Sequence, residues 1–252
     1  MPETPYMWAP ASATGIGSLP GTDPVEAMRA VFGELPDLPH LAELPGRGPG
    51  GDLTGRTAAL LIELPVQTTP SGWRFTARPG RDRSRARGML SADLDALEEV
   101  ASGYHGPLKI QVCGPWTLAA TIELARSQDP SLADTGAVAD LIASLAEGVA
   151  AHVAEVRKRV PGAHVLLQLD EPSLPRVIAG TVPTASALNT VPAPETASVE
   201  AGLRQVIDTA QTASVVHCCA MSVPFGIIRR AGAGGAGFDL SLLRREEEEE
   251  LA

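Results

Sequence analysis

"AHVLLQLDEP", residues 163–172, decides the fold of this chain. Val165, Leu166 and Leu167 follow one another without a polar residue, so both faces of the segment are apolar there. A short unbroken apolar run marks a strand buried on both faces, as in a parallel sheet covered by helices, whereas a half-exposed strand alternates. The run closes on Asp170, Glu171 and Pro172. A polar strand end followed by a proline suits a turn into a helix.

The same grammar recurs outward in both directions. "ATGIGSL" (13–19), "LPHLAEL" (38–44), "PLKIQVCG" (107–114), "SVVHCC" (214–219) and "GFDLSLL" (237–243) read as further strands, with "TVPTASALNT" (181–190) as a weaker one. Helical patterns lie between them. "DPVEAMRAVFGEL" starts with Asp23 as N-cap and Pro24 at its first position. "DTGAVADLIASLAEGVAAHVAEVRKRV" (134–160) is the longest and closes on basic residues and Pro-Gly. "PVQTTPSGWRFTARPG" (65–80) carries turn chemistry at Pro70-Ser71-Gly72 and reads as a hairpin.

Repeated β-then-α units over this length predict an α/β fold of the (β/α)8 TIM-barrel type, with a doubly wound sheet as the alternative. Seven strands are counted, so the barrel is expected to be incomplete at its C-terminus. One domain is expected over 1–243. The block "REEEEEL" places a solvated, disordered acidic tail at 244–252.

Composition narrows the function. The formal net charge of −10 disfavours a phosphate backbone as partner, so no nucleic acid is expected. The basic stretch "RPGRDRSRARG" (78–88) reads as a solvated helix face. Three cysteines, two of them adjacent, make no disulfide framework. No run of about 18 apolar residues occurs, so no membrane partner is expected. The N-terminus lacks the pattern of a signal peptide, and the localisation expected is cytoplasmic.

In a barrel of parallel strands, the C-terminal strand ends carry the chemistry. Ser18, Cys113, Asp170, Glu171, His217 and Cys219 all fall there. Strand side chains alternate, so His217 and Cys219 share a face and Cys218 points the other way. Imidazole and thiolate can both bind one Zn²⁺ at roughly 2.0–2.3 Å, yet zinc needs three or four protein ligands and the motif offers two. Asp170 and Glu171 face opposite ways and form no acid/base pair. Gly17 and Ser18 can offer N–H groups and a hydroxyl to a carboxylate.

Taken together, "TGIGSLPGT", "VCGPWTLA", "QLDEPSLP" and "VVHCCA" resemble, in order and in position, the catalytic barrel of the cobalamin-independent methionine synthases. That barrel shares the wider uroporphyrinogen decarboxylase-like fold. The resemblance runs from about Thr14 to Leu243. It implies that Ile16, Gly17 and Ser18 form the turn that holds an amino-acid carboxylate. It also implies that Asp170 holds the ammonium and that His217 and Cys219 are ligands of a Zn²⁺ cofactor. The family's folate-stacking Trp falls near Thr121, and the nearby Trp116 is the substrate-binding candidate in its place. The family's further zinc ligands are not matched: a Glu falls near Leu243, with Asp239 earlier, and a Cys falls beyond the last residue. A family Glu after the D-E-P motif falls on Arg176.

The function this resemblance implies is zinc-dependent methyl transfer to the thiol of homocysteine, giving methionine. The methyl donor would be 5-methyltetrahydrofolate or a methyl-corrinoid protein. The alternatives are a catalytically inactive fragment or paralogue that keeps an amino-acid pocket, or a decarboxylase of the uroporphyrinogen decarboxylase type.

Overall fold

Asp23 opens the first helix as its sequence requires: its carboxylate accepts from the backbone N–H groups of Val25 and Glu26 ahead of α1 (Pro24–Glu34). The computed structural model describes residues 8–245. After α1 come the short helix α2 (Leu53–Ala58) and the strands β1 (Val66–Thr69) and β2 (Gly72–Phe75). Next are α3 (Arg81–Val100), β3 (Gly106–Cys113), α4 (Pro115–Thr121), β4 (Ile122–Glu123) and α5 (Thr135–Arg159). The chain continues through β5 (Ala163–Asp170), α6 (Leu174–Ile178), α7 (Thr196–Ala210), β6 (Ala213–Cys218), α8 (Phe225–Arg230) and β7 (Gly235–Phe238).

The result is a mixed α/β fold around a parallel sheet in the order β3-β5-β6-β7. Its centre is β3 and β5, where the last six residues of each strand are buried, the apolar ones together with Lys109 and Gln111 on β3 and Gln168 on β5. Two single parallel bridges continue the same order beyond β3, His40 to Lys109 and then Ser18 to Glu43. Residues 39–43 therefore run alongside β3, joined by bonds such as Leu41 N–H to the Lys109 carbonyl (2.9 Å), and residues 15–19 run alongside 39–43 in turn, with Leu19 N–H on the Glu43 carbonyl (2.9 Å).

Two strand expectations are corrected. "TVPTASALNT" does not enter the sheet: Pro183 and Thr190 form one antiparallel bridge in an exposed excursion. Only Val182 and Val191 at its base are buried, while Leu188 is 86 % exposed, so it lacks the apolar run that a central strand needs. The final strand is Gly235–Phe238 rather than the whole of "GFDLSLL", because the Asp239 carboxylate accepts from Ser241 N–H and starts a 3₁₀ turn. The sheet among the described residues thus has four strands plus two bridged segments, and seven strands are not found there.

The remaining strands form a small second sheet, β1-β2-β4, in which β1 and β2 are the expected hairpin. Glu123 ties it together by accepting from Arg74 Nε (2.8 Å) and from Ser71 Oγ. The basic stretch forms the first turns of α3, exposed except for Arg83, which bonds the Leu61 carbonyl, and the half-buried or buried residues on its inner side.

One contiguous apolar core joins the helices to the sheet. Helix α5 is long and apolar enough to cross a bilayer by length and composition, but 56 % of its most apolar window is buried inside the fold. Residues 246–252 lie outside the described residues, and most of the expected acidic tail with them. Arg244, at its start, donates to Ser222 Oγ (2.8 Å).

Candidate functional site

The strand ends meet where the sheet register brings them level. Cys113 pairs with Asp170 and Asp170 with His217 along β3, β5 and β6. The Asp170 Oδ1 atom lies 2.7 Å from His217 Nδ1, with both side chains largely buried. That contact fixes the imidazole and turns its Nε2 away from the carboxylate. Asp170 Oδ1 also accepts from Gln168 Nε2 (2.7 Å), and the same Nε2 donates to the Ile16 carbonyl (2.9 Å). The Ile16–Gly17–Ser18 turn, Asp170 and His217 are therefore parts of one hydrogen-bonded cluster.

The turn is shaped by Gly17. Its φ of 142° is one that L side chains rarely adopt, and a Cβ there would come within 2.9 Å of the Gln111 side chain. Ile16 and Ser18 on either side are exposed, so the cluster is reached from solvent at this turn.

Beneath it lies a polar layer that the strand-end rule does not reveal. Lys109, Gln111 and Gln168 are buried in the middle of apolar strands, and Glu43 is buried at the end of the 39–43 segment. Gln111 donates to the Leu41 carbonyl (2.6 Å). Its Oε1, and Oε1 of Glu43, accept no hydrogen bond. Arg56 Nε stands 3.7 Å from that Glu43 oxygen. Burial raises the Glu43 pKa, and Arg56 only partly offsets it. Burial lowers the Lys109 pKa to about 8, against the pull of Asp170 and Glu43.

Alternation separates the two acids of the D-E-P motif. Asp170 joins the cluster, whereas Glu171 turns to the helix side and accepts from Trp116 N–H (2.9 Å), Thr117 N–H (2.7 Å) and Thr117 Oγ1 (2.7 Å). It thereby satisfies the open N–H groups at the start of α4. Its burial raises its pKa to about 7 even though these donors favour the charged form. A Cβ on Gly114 would come within 2.4 Å of its carboxylate, so this turn accepts only glycine without rearrangement.

Trp116 is not brought to the cluster. Its indole Nε1 donates to the Val199 carbonyl of α7 (3.0 Å), and it lines a cavity of about 690 Å³ between α5, α7 and residues 191–195. Thr121 and Arg176 line a separate cavity of about 270 Å³, together with Glu123 and Thr184.

Cys218 and Cys219 part as alternation requires. Cys218 is buried, and that burial pushes its thiol up to about 11, while Cys219 is exposed just past the end of β6. A carboxylate on Nδ1 is the usual anchor of a metal-binding imidazole, so His217 suits that role. The donor set is nevertheless incomplete. His217 and Cys219 supply two ligands, and no group of three His, Cys, Asp or Glu side chains able to hold a metal occurs among the described residues. Asp239, just beyond β7, is occupied by Ser241 N–H and Oγ.

Glu43, Lys109, Gln111 and Gln168 are members of the site that strand-end reasoning passes over. The signal for the last three is present in "LKIQVC" and "LLQLD", where polar residues recur two apart on one face of an otherwise apolar strand. No protein-family model matches this sequence, and no curated protein does.

Proposed function

We propose that this chain binds a small α-amino acid of the homocysteine or methionine type at the ends of its parallel strands. There it acts as the acceptor side of a thiol methyltransferase. The observation that carries this reading is the hydrogen-bonded run from Ile16 through Gln168 and Asp170 to His217. It sets a turn suited to a carboxylate, an acid suited to an ammonium and an imidazole within reach of one small ligand. The four-motif resemblance supplies the ligand class, and it supports reading the parallel sheet as the wall of a (β/α)8-type barrel.

In this reading Ser18 and the neighbouring backbone take the ligand's carboxylate. Asp170 takes the ammonium through the oxygen not engaged by His217. The thiol then lies toward His217 and Cys219. The residues here bind and orient, which converts a bimolecular encounter into a positioned one. Methyl transfer forms an S–CH₃ bond, breaks the donor's bond to the methyl group and releases the thiol proton. The folate or corrinoid donor and a cytoplasmic location belong to the same proposal.

Calorimetric titration with L-methionine and L-homocysteine tests the binding half. Saturable one-to-one binding that D-methionine and butanethiol do not reproduce is expected. Absence of binding by either L-amino acid overturns the reading. A second reading, an amino-acid-binding paralogue without methyl transfer, is favoured by the incomplete metal donor set. Binding without turnover, in protein that also carries no zinc, would select it.

A further inference from the structure

Lys109 lies in the middle of β3 with 1 % of its surface exposed. A buried ammonium is costly unless its donors are satisfied. Among the described residues it meets no carboxylate at hydrogen-bond distance. Its partners are the side-chain oxygen of Gln168 (2.7 Å) and the Ile16 carbonyl (3.5 Å). Asp170 and Glu43 act on it through space, and His40 lies beside it across the strand pair.

An ammonium group donates and cannot accept, so only the oxygen end of the Gln168 amide can face it. That choice fixes the other end of the amide. Its nitrogen is held toward Asp170 Oδ1 (2.7 Å) and the Ile16 carbonyl (2.9 Å), and Asp170 in turn holds His217. Were the amide reversed, its oxygen would face two acceptors and the contacts to residue 16 and residue 170 would both be lost.

We propose that Lys109 is a positioning residue that sets the orientation of the Gln168 amide. Through that amide it locks the Ile16–Ser18 turn and Asp170 into one arrangement, so the two ends of the bound amino acid are recognised as a unit. This rests on the amino-acid reading above and extends it to a side chain that touches no ligand.

The test is a double-mutant cycle on L-methionine affinity with Lys109→Met, Gln168→Leu and the pair, with thermal unfolding recorded for each. Each single change is expected to weaken binding about tenfold, the scale of one hydrogen bond to a charged group. The double variant should bind no more weakly than Gln168→Leu, because residues acting in series are not additive. Additive losses, or full affinity in a folded Lys109→Met protein, overturn the proposal.

Should Lys109→Met fail to fold, Gln168→Glu is made, which keeps the partner of Lys109 but cannot donate to Asp170 or Ile16. That change only establishes that the Gln168 amide is needed, so Lys109→Gln is measured beside it: its amide can face either end of Gln168 and no longer imposes an orientation, so retained affinity overturns the proposal and loss supports it. Should the unaltered protein bind neither amino acid, the functional reading falls while the orientation claim is still measurable by NMR. The Gln168 side-chain amide protons should exchange slowly, and about tenfold faster in Lys109→Met as a hydrogen bond of that size is released. Equal exchange rates overturn it.

Discussion

Asp170 receives two hydrogen-bond partners on one carboxylate oxygen, which leaves the other for a ligand. Asp170→Asn keeps the shape and removes the charge. It is expected to weaken L-methionine binding by about 1.5–3 kcal/mol, as for a hydrogen bond to a charged group, with a smaller effect on unfolding. Calorimetry on the folded variant checks this, and unchanged affinity would reduce Asp170 to an anchor for His217. Asp170 is legible in the sequence because it closes a largely apolar strand, which puts a carboxylate at a strand end where chemistry gathers. Lys109 is only half legible, because its spacing to Gln111 within "LKIQV" puts both on one face but gives no sign of what that face packs against. Its burial depends on Gln168, which lies 59 residues away in the chain.

At the scale of elements, alternation along β6 separates the two neighbouring thiols. Cys219 is exposed beyond the strand, while Cys218, like Cys113 on β3, is buried. Burial raises the pKa of both buried thiols, and the carboxylates near Cys113 raise it further there. A native protein titrated with a thiol reagent at pH 8 should therefore show one fast cysteine, identified by mass spectrometry as Cys219, and two that react only on unfolding. Rapid labelling of Cys218 instead would mean that β6 is shifted by one residue. If the purified protein carries zinc, Cys219→Ser should remove it and Cys218→Ser should not. Among the central strands β5 is readable from its run Val165–Leu167, whereas β3 is interrupted at Lys109 and Gln111 and is read from its remaining apolar residues. The 181–190 excursion mimics a strand because Val182 and Val191 bracket a polar stretch, and two buried anchors at its ends conceal an exposed middle. The end of β7 is hidden in the sequence because Asp239 caps a turn, and the leucines on its far side extend the apolar pattern past it.

For the whole molecule, the buried histidines make stability sensitive to acid. Burial holds His152 on α5 at a pKa of about 3, with Arg56 adding to the shift, against an ordinary value of 6.5. The unfolded chain then binds a proton below about pH 6.5 that the folded chain refuses, so this residue's contribution to stability falls as pH drops. Between pH 7 and pH 5 the loss from one such histidine is about 2 kcal/mol. Urea unfolding at the two pH values should show the unaltered protein losing more than His152→Leu by about that amount, and equal losses would place a charged imidazole in the core. The paired acids at 170 and 171 divide along another line. Asp170 faces the proposed ligand, while Glu171 stitches the start of α4 to the end of β5. A library randomised at these two codons and sorted only for soluble yield should tolerate many residues at 170 and reject most at 171. The same library sorted for ligand capture should become selective at both. Neighbouring codons with the same chemistry would thus drift under different pressures, one set by folding and the other by what the protein holds.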